Sequence, residues 1–189
     1  MREEIKEKIL MKERLTLANK TKNPRAACVI NLTKLGIVDA EMEDIARLIV
    51  EEETKAHNAP DTLMNGEEKD LYTTKDAFIK DIWLDENRIC DAGAVVFARI
   101  LGDLPYPLLS RMEGLLVQSN VGIQEEGTRA LLIMRRKLGF QDLGLCGTGN
   151  SDASAVYDME QQVNAKYDER ETPTNKHHGV GCHTLCHIS

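Results

Sequence analysis

Short runs of apolar residues spaced three and four apart, each ended by asparagine, aspartate, proline or glycine, limit most strongly what this chain can fold into. Met42, Ile45, Leu48 and Ile49 make one helical face, and Asp39 can cap that helix, with Glu41, Glu43 and Asp44 near its positive end. Residues 2 to 20, rich in Glu, Lys and Leu, read as a first helix with Ile5, Ile9 and Leu10 on one stripe. Asn23-Pro24 opens a second, short helix through Leu35, stopped by Gly36. Thr73 and Asp76 resemble a capping box for a fourth, whose inner face is Phe78, Ile79, Ile82 and Trp83.

The segment 91 to 101 is nearly all apolar, and Val95-Val96-Phe97 also suits a buried strand. With no partner strand visible elsewhere, it reads as a central helix closed by Gly102 and the Leu104-Pro105-Tyr106-Pro107 turn. Further helices are expected over about 107 to 118 and 124 to 138, the latter stopped by Gly139. Gly139 to Gly149 reads as a loop, and Ser151 and Asp152 as caps of a last helix to about Glu169. The expectation is an all-α fold, a single helical bundle of six or seven helices over 1–169, followed by a Cys/His-rich tail over 170–189. No repeat of a solenoid type is visible in the string.

A formal charge of −7 and 4% aromatic residues argue against a general nucleic-acid grip, which calls for a basic face and stacking rings. No apolar stretch is long enough to span a bilayer, and the start Met1-Arg2-Glu3-Glu4-Ile5-Lys6 lacks a signal core, so the expected location is cytoplasmic, or inside a particle assembled there. Five cysteines, three of them isolated (Cys28, Cys90, Cys146), do not form a disulfide framework.

The densest chemistry is terminal. Four of the five histidines and two of the five cysteines fall between His177 and Ser189. Thiolate and imidazole are ligands for zinc and related transition metals. Helical spacing would set Cys182 and Cys186 on one face, with His178 or His187 completing a set and His177 or His183 as further candidates. A disulfide, a covalently modified tail or an unliganded tail are the competing readings; a modified tail would make the helical part a leader-like recognition domain for a modifying or redox enzyme.

Elsewhere the signals are weaker. Gly147, Gly149 and Ser151 form a glycine-containing loop before a helix, where backbone amides can take an anion, although no strand or P-loop lysine accompanies it. Arg135, Arg136 and Lys137 complement a helix carboxyl end and could serve as a small nucleic-acid or acidic-partner patch. Glu53 and His57 lie one turn apart after Glu51-Glu52, a spacing that can hold a metal but is also an ordinary solvated helix end. Asp81, Asp85 and Glu86 beside Trp83 read as rim carboxylates around an inward tryptophan. With His57 the one histidine outside the tail, no catalytic arrangement is supported.

The strings Asp39-Ala40-Glu41-Met42, Gly66-Glu67-Glu68-Lys69-Asp70-Leu71 and Leu104-Pro105 distantly resemble the small helical YqeY-like family, related to the tail domain of a tRNA-amidotransferase subunit. That resemblance implies an all-helical fold; the interval from Leu71 to Leu104 is long for the family, and it assigns no functional residue here. The functional expectation is a non-catalytic binding, assembly or regulatory protein that associates with a protein partner or with itself, its tail taking zinc or another transition metal, or docking.

Overall fold

The structure, a computed structural model, describes residues 1–11, 13–14, 27–58, 78–104, 109 and 112–171. Strands and helices alternate along the chain. They are α1 (Glu3–Met11), β1 (Glu13–Arg14), β2 (Ala27–Asn31), α2 (Asp39–Asn58), β3 (Phe78–Trp83), α3 (Asp91–Gly102), β4 (Gly114–Leu116), α4 (Glu125–Leu138), β5 (Asp142–Gly144) and α5 (Ala153–Glu171). The strands form one sheet in sequence order, with β2 to β5 parallel and β1 antiparallel at the edge. Each parallel strand is followed by a helix that packs on the helices before and after it, α2 on α3, α3 on α4 and α4 on α5. This is an α/β solenoid, in which each unit contacts its neighbours.

Side-chain alternation along the strands explains why the sheet has one buried face. Ile30 and Leu32, Ile82 and Leu84, and Leu115 and Val117 are all buried and join one core with Ile45 and Ile49 of α2, Phe97 and Leu101 of α3, and Leu131 and Met134 of α4. Two residues past the last core residue of each strand the chain turns through a left-handed conformation, at Lys34 (φ 61), Glu86 (φ 54), Ser119 (φ 59) and Gly147 (φ 70). Four such residues at one equivalent place mark four units of the same design.

Asparagine side chains tie these turns together. Asn87 donates to the carbonyls of Leu32 (2.9 Å), Leu84 (2.8 Å) and Asp85 (3.2 Å) and accepts from the amides of Leu35 and Ile37 (3.0 Å each). Asn120 repeats the pattern one unit on, donating to Leu84 and Val117 (2.9 Å each) and accepting from Ile89 at 3.2 Å. Thr148 stands at the next equivalent place and donates to Leu145 at 2.8 Å.

Aspartates do the same for the helix starts. Asp39 accepts from the amide of Cys90 at 2.7 Å, and Asp91 from those of Gln124 (2.6 Å) and Gly127 (2.8 Å). Neither Cys90 nor Gln124 caps its own helix through its side chain. The carboxylate of one unit therefore satisfies amides at the next helix start, which leave no partner within their own helix. At one end of the array α1 buries Ile5 and Ile9 and is pinned to α2 through Met1–Asp44 (3.0 Å) and Arg2–Glu41 (2.8 Å). At the other, Met159 and Val163 of α5 cover Leu132.

The expected all-α bundle of six or seven helices is thus corrected to an α/β fold, with five helices among the described residues. The segment 91 to 101 is helical, and α2, α4 and α5 lie close to their expected places, Gly139 ending α4 in a left-handed cap (φ 77). The expected second and fourth helices and the one over 107 to 118 instead contain β2, β3 and β4, and the expected glycine loop contains β5. The first helix is shorter than expected. Thr73, Asp76 and most of the polar connection before them lie outside the described residues.

The misreading of β3 has a local cause. Cys28 pairs with Ile79 but Val29 with Asp81, so the register slips and both Ile79 and Ile82, three apart, are buried. A bulge imitates a helical stripe. The expectation of no solenoid repeat is also overturned, because the intervals from Ile30 to Ile82, Ile82 to Leu115 and Leu115 to Leu143 are unequal and hide the period. The all-helical expectation attached to the YqeY-like strings falls with the parallel sheet.

Candidate functional site

The face of the sheet turned away from the helices carries the polar and aromatic positions of the strands. The register sets Asp81, Gly114 and Asp142 in one row and Asn31, Trp83, Leu116 and Gly144 in the next. Asp85, Gln118 and Cys146 follow each strand by the same alternation. Towards β2 the first row is closed, since Val29, the register partner of Asp81, is buried. Trp83, Leu116, Asp81, Asp85 and Gln118 are half-buried, and Asp142 and Cys146 are exposed.

Two glycines bring the side chains on this face together. A Cβ on Gly114 would stand 2.7 Å from Oδ1 of Asp81, and one on Gly144 would stand 2.7 Å from Cδ2 of Leu116 and 3.0 Å from Nε2 of Gln118. Asp81 therefore lies over Gly114, and Leu116 and Gln118 over Gly144. Asp85 accepts from the amide of Gln118 at 2.7 Å, which holds its carboxylate against the next strand.

Electrostatically the face is acidic. Burial holds the Asp81 carboxyl above the usual carboxylate range, opposed by Lys80 and reinforced by Glu113 and Asp142. Burial also raises Asp85, against the lowering effect of its bond from Gln118 and with the help of Glu86. The nearby cations are already engaged, Lys80 with Glu113 and Lys34 with Glu86 (3.1 Å each). Among the described residues no cation lies within salt-bridge distance of Asp81, Asp85 or Asp142.

The candidate residues read from sequence fare differently. His177, His178, Cys182, His183, Cys186 and His187 lie outside the described residues. Among the described residues no group of three or more His, Cys, Asp or Glu side chains could hold a metal ion, so the expected metal binding finds no support there. Physically, Asp39, Asp85 and Asp91 are aimed at backbone amides. Of the helix-end acids, Glu51 and Glu52 pair with Lys55 at 2.7 and 2.9 Å, whereas Glu53 is buried rather than solvated.

The glycine loop is built for packing. Gly147 takes a left-handed turn (φ 70), and a Cβ on Gly149 would collide with the Gln124 side chain and with the Val121 carbonyl, 2.6 Å away. Ser151 is exposed, and at the helix start that follows, the Ser154 amide is already bonded to Asp152 at 2.9 Å. In the basic run, Arg135 is paired with Glu160 and Lys137 with Asp103 (2.6 Å), and Arg129 reaches Glu125 (3.0 Å) and Gln162 (3.2 Å). These cations bridge neighbouring elements of the fold.

Sequence reasoning placed Trp83 inside and missed the sheet face. The signal was the alternation of Asp81, Trp83 and Asp85 with Ile82 and Leu84, which is a strand pattern. No helix among the described residues is long and apolar enough to cross a membrane. Comparison with family models, with curated proteins and with solved structures returns no match.

Proposed function

We propose that this chain is a protein-binding scaffold whose partner seats on the open face of the parallel sheet, centred on Trp83 and Leu116. The observation that carries the reading is a half-buried tryptophan beside a half-buried leucine on adjacent parallel strands, on the face away from the helices. Aromatic residues dominate the energetics of protein interfaces. Stacked repeat units present extended surfaces of this kind, and the strings Ile82-Trp83-Leu84-Asp85-Glu86-Asn87 and Leu115-Leu116-Val117-Gln118-Ser119-Asn120 follow the strand-and-turn pattern of leucine-rich repeats. The tight turns keep that surface rigid, which limits the ordering cost of association.

A photo-crosslinking amino acid at position 83 in the producing cell tests the reading, with position 99, exposed on α3, as the control. A discrete protein adduct is expected from position 83 and not from position 99. Equal labelling at both, or none at 83, would remove the sheet face from consideration.

A second reading concerns the tail, motivated by the concentration of histidine, cysteine and threonine that follows α5. Here the repeat domain recognises a modifying enzyme and presents the tail as substrate. Intact mass of the chain from its native host, with the shift mapped beyond Pro173, supports this reading; an unshifted mass rejects it.

A further inference from the structure

We infer that the occupant of the sheet face is a basic protein segment with an exposed apolar side chain, which seats on Trp83 and Leu116 while its lysine or arginine side chains meet Asp81 and Asp142. The inference rests on the sheet-face reading and adds the chemistry of the partner. Asp81 and Asp142 occupy one row, with only Gly114 between them, and that row is adjacent to the one holding Trp83 and Leu116. The glycine adds no side chain of its own, and the Asp81 carboxylate leans over it towards Asp142. An apolar platform thus has an acidic border along one side, and Asp85 stands on its opposite side, next to Gln118.

Charge complementarity selects the partner. Lys80 and Lys34 are taken by Glu113 and Glu86, so the border keeps its negative sign. Two carboxylates brought close together repel, and burial has already stripped part of the water from Asp81. A cation arriving from a partner relieves both costs. An acidic protein or a phosphate backbone would add like charge to the same place and is disfavoured. A guanidinium or ammonium group over the Trp83 ring would gain further attraction from the ring face.

Trp83 is the only tryptophan in the chain, so its emission reports on this face directly. The full chain would be titrated with two peptides of equal length, one with a leucine flanked by lysine and arginine, the other with glutamate in place of each base. The expected result is a saturable change in Trp83 emission with the basic peptide alone, weakening as salt rises. In the Asp81→Asn/Asp142→Asn double variant its affinity should fall about tenfold, as for loss of one or two charge pairs. Asp85 is left intact because it holds the Gln118 amide, and a melting curve identical to the parent's verifies the double variant's fold. An equal response to both peptides, no response to the basic one, or an unchanged affinity in the folded double variant would overturn the inference. The crosslink at position 83 separates the two levels. An adduct without preference for the basic peptide sinks the partner chemistry and leaves the sheet face standing, whereas no adduct sinks both.

Discussion

Asn87 shows how much of this architecture hangs on single polar side chains. Its amide group uses both ends, donating to carbonyls of its own unit and of the unit before, and accepting two amides of that preceding unit. Removing it strands several buried backbone groups at once, and each unsatisfied group costs about 1–3 kcal/mol. We expect Asn87→Ala to lower the unfolding free energy by about 3–5 kcal/mol, measured by urea denaturation. A loss under about 1 kcal/mol would mean that water replaces the side chain and the ladder is incidental. The identity of Asn87 hinted at a turn, but its partners lie up to 55 residues away, and nothing local in the string announces them. Trp83 carries the opposite lesson. Helical spacing set it on an inner face with Ile79 and Ile82, whereas the strand places it on the face opposite Ile82 and Leu84, the face on which the proposed function depends.

Two of the helices, α3 and α4, owe their starts to the preceding unit. Asp39 looks like the cap of the helix it opens, and that much was legible; Asp91 opens the next helix in the same way. Their carboxylates instead serve α3 and α4, the next helices along. That arrangement needs glycine at positions 93 and 127. A Cβ on Gly93 would collide with the Asp39 carboxylate and stand 2.9 Å from the Asp39 Cα and the Met42 Cγ; on Gly127 it would meet Asp91 Oδ1 at 2.6 Å. Alanine normally favours a helix by about 1 kcal/mol over glycine. Here we expect Gly93→Ala to destabilise by about 2–3 kcal/mol, because backbone and a committed carboxylate must move. Gly102→Ala, with nothing closer than 3.4 Å, is the matched control and should be neutral or slightly stabilising. Thermal melts of the pair decide it. Equal shifts would show that propensity, and not the approach of the preceding unit, governs these glycines.

Across the whole molecule, stability is a sum over interfaces between adjacent units, closed at the ends by α1 and α5. Val163 is buried in the small cluster that joins α5 to Leu132 and Leu143. A carboxylate there lacks any partner on the cluster's apolar lining and costs several kcal/mol if it stays buried. Val163→Asp should therefore strip hydrogen-exchange protection from α5, β5 and α4, while β2 and α2, two interfaces away, keep theirs. Uniform loss along the chain would show one indivisible core in place of stacked units. The same linear design puts the described helices on the side of the sheet opposite Trp83 and Leu116.

Four of the helices could be located from the string, because helix propensity, glycine stops and aspartate starts act within a few residues. Strands did not declare themselves. β4 and β5 are three residues each, too short for alternation to stand out from a helical pattern, and the bulge in β3 counterfeits one. The asparagine ladder and the caps passed from one helix start to the next join residues 31 to 55 positions apart, and the parallel strands pair across similarly long intervals. Such contacts exist only once successive units have stacked. The acidic, tryptophan-bearing face comes into being in the same step, since Trp83 and Leu116 become neighbours when β3 and β4 pair.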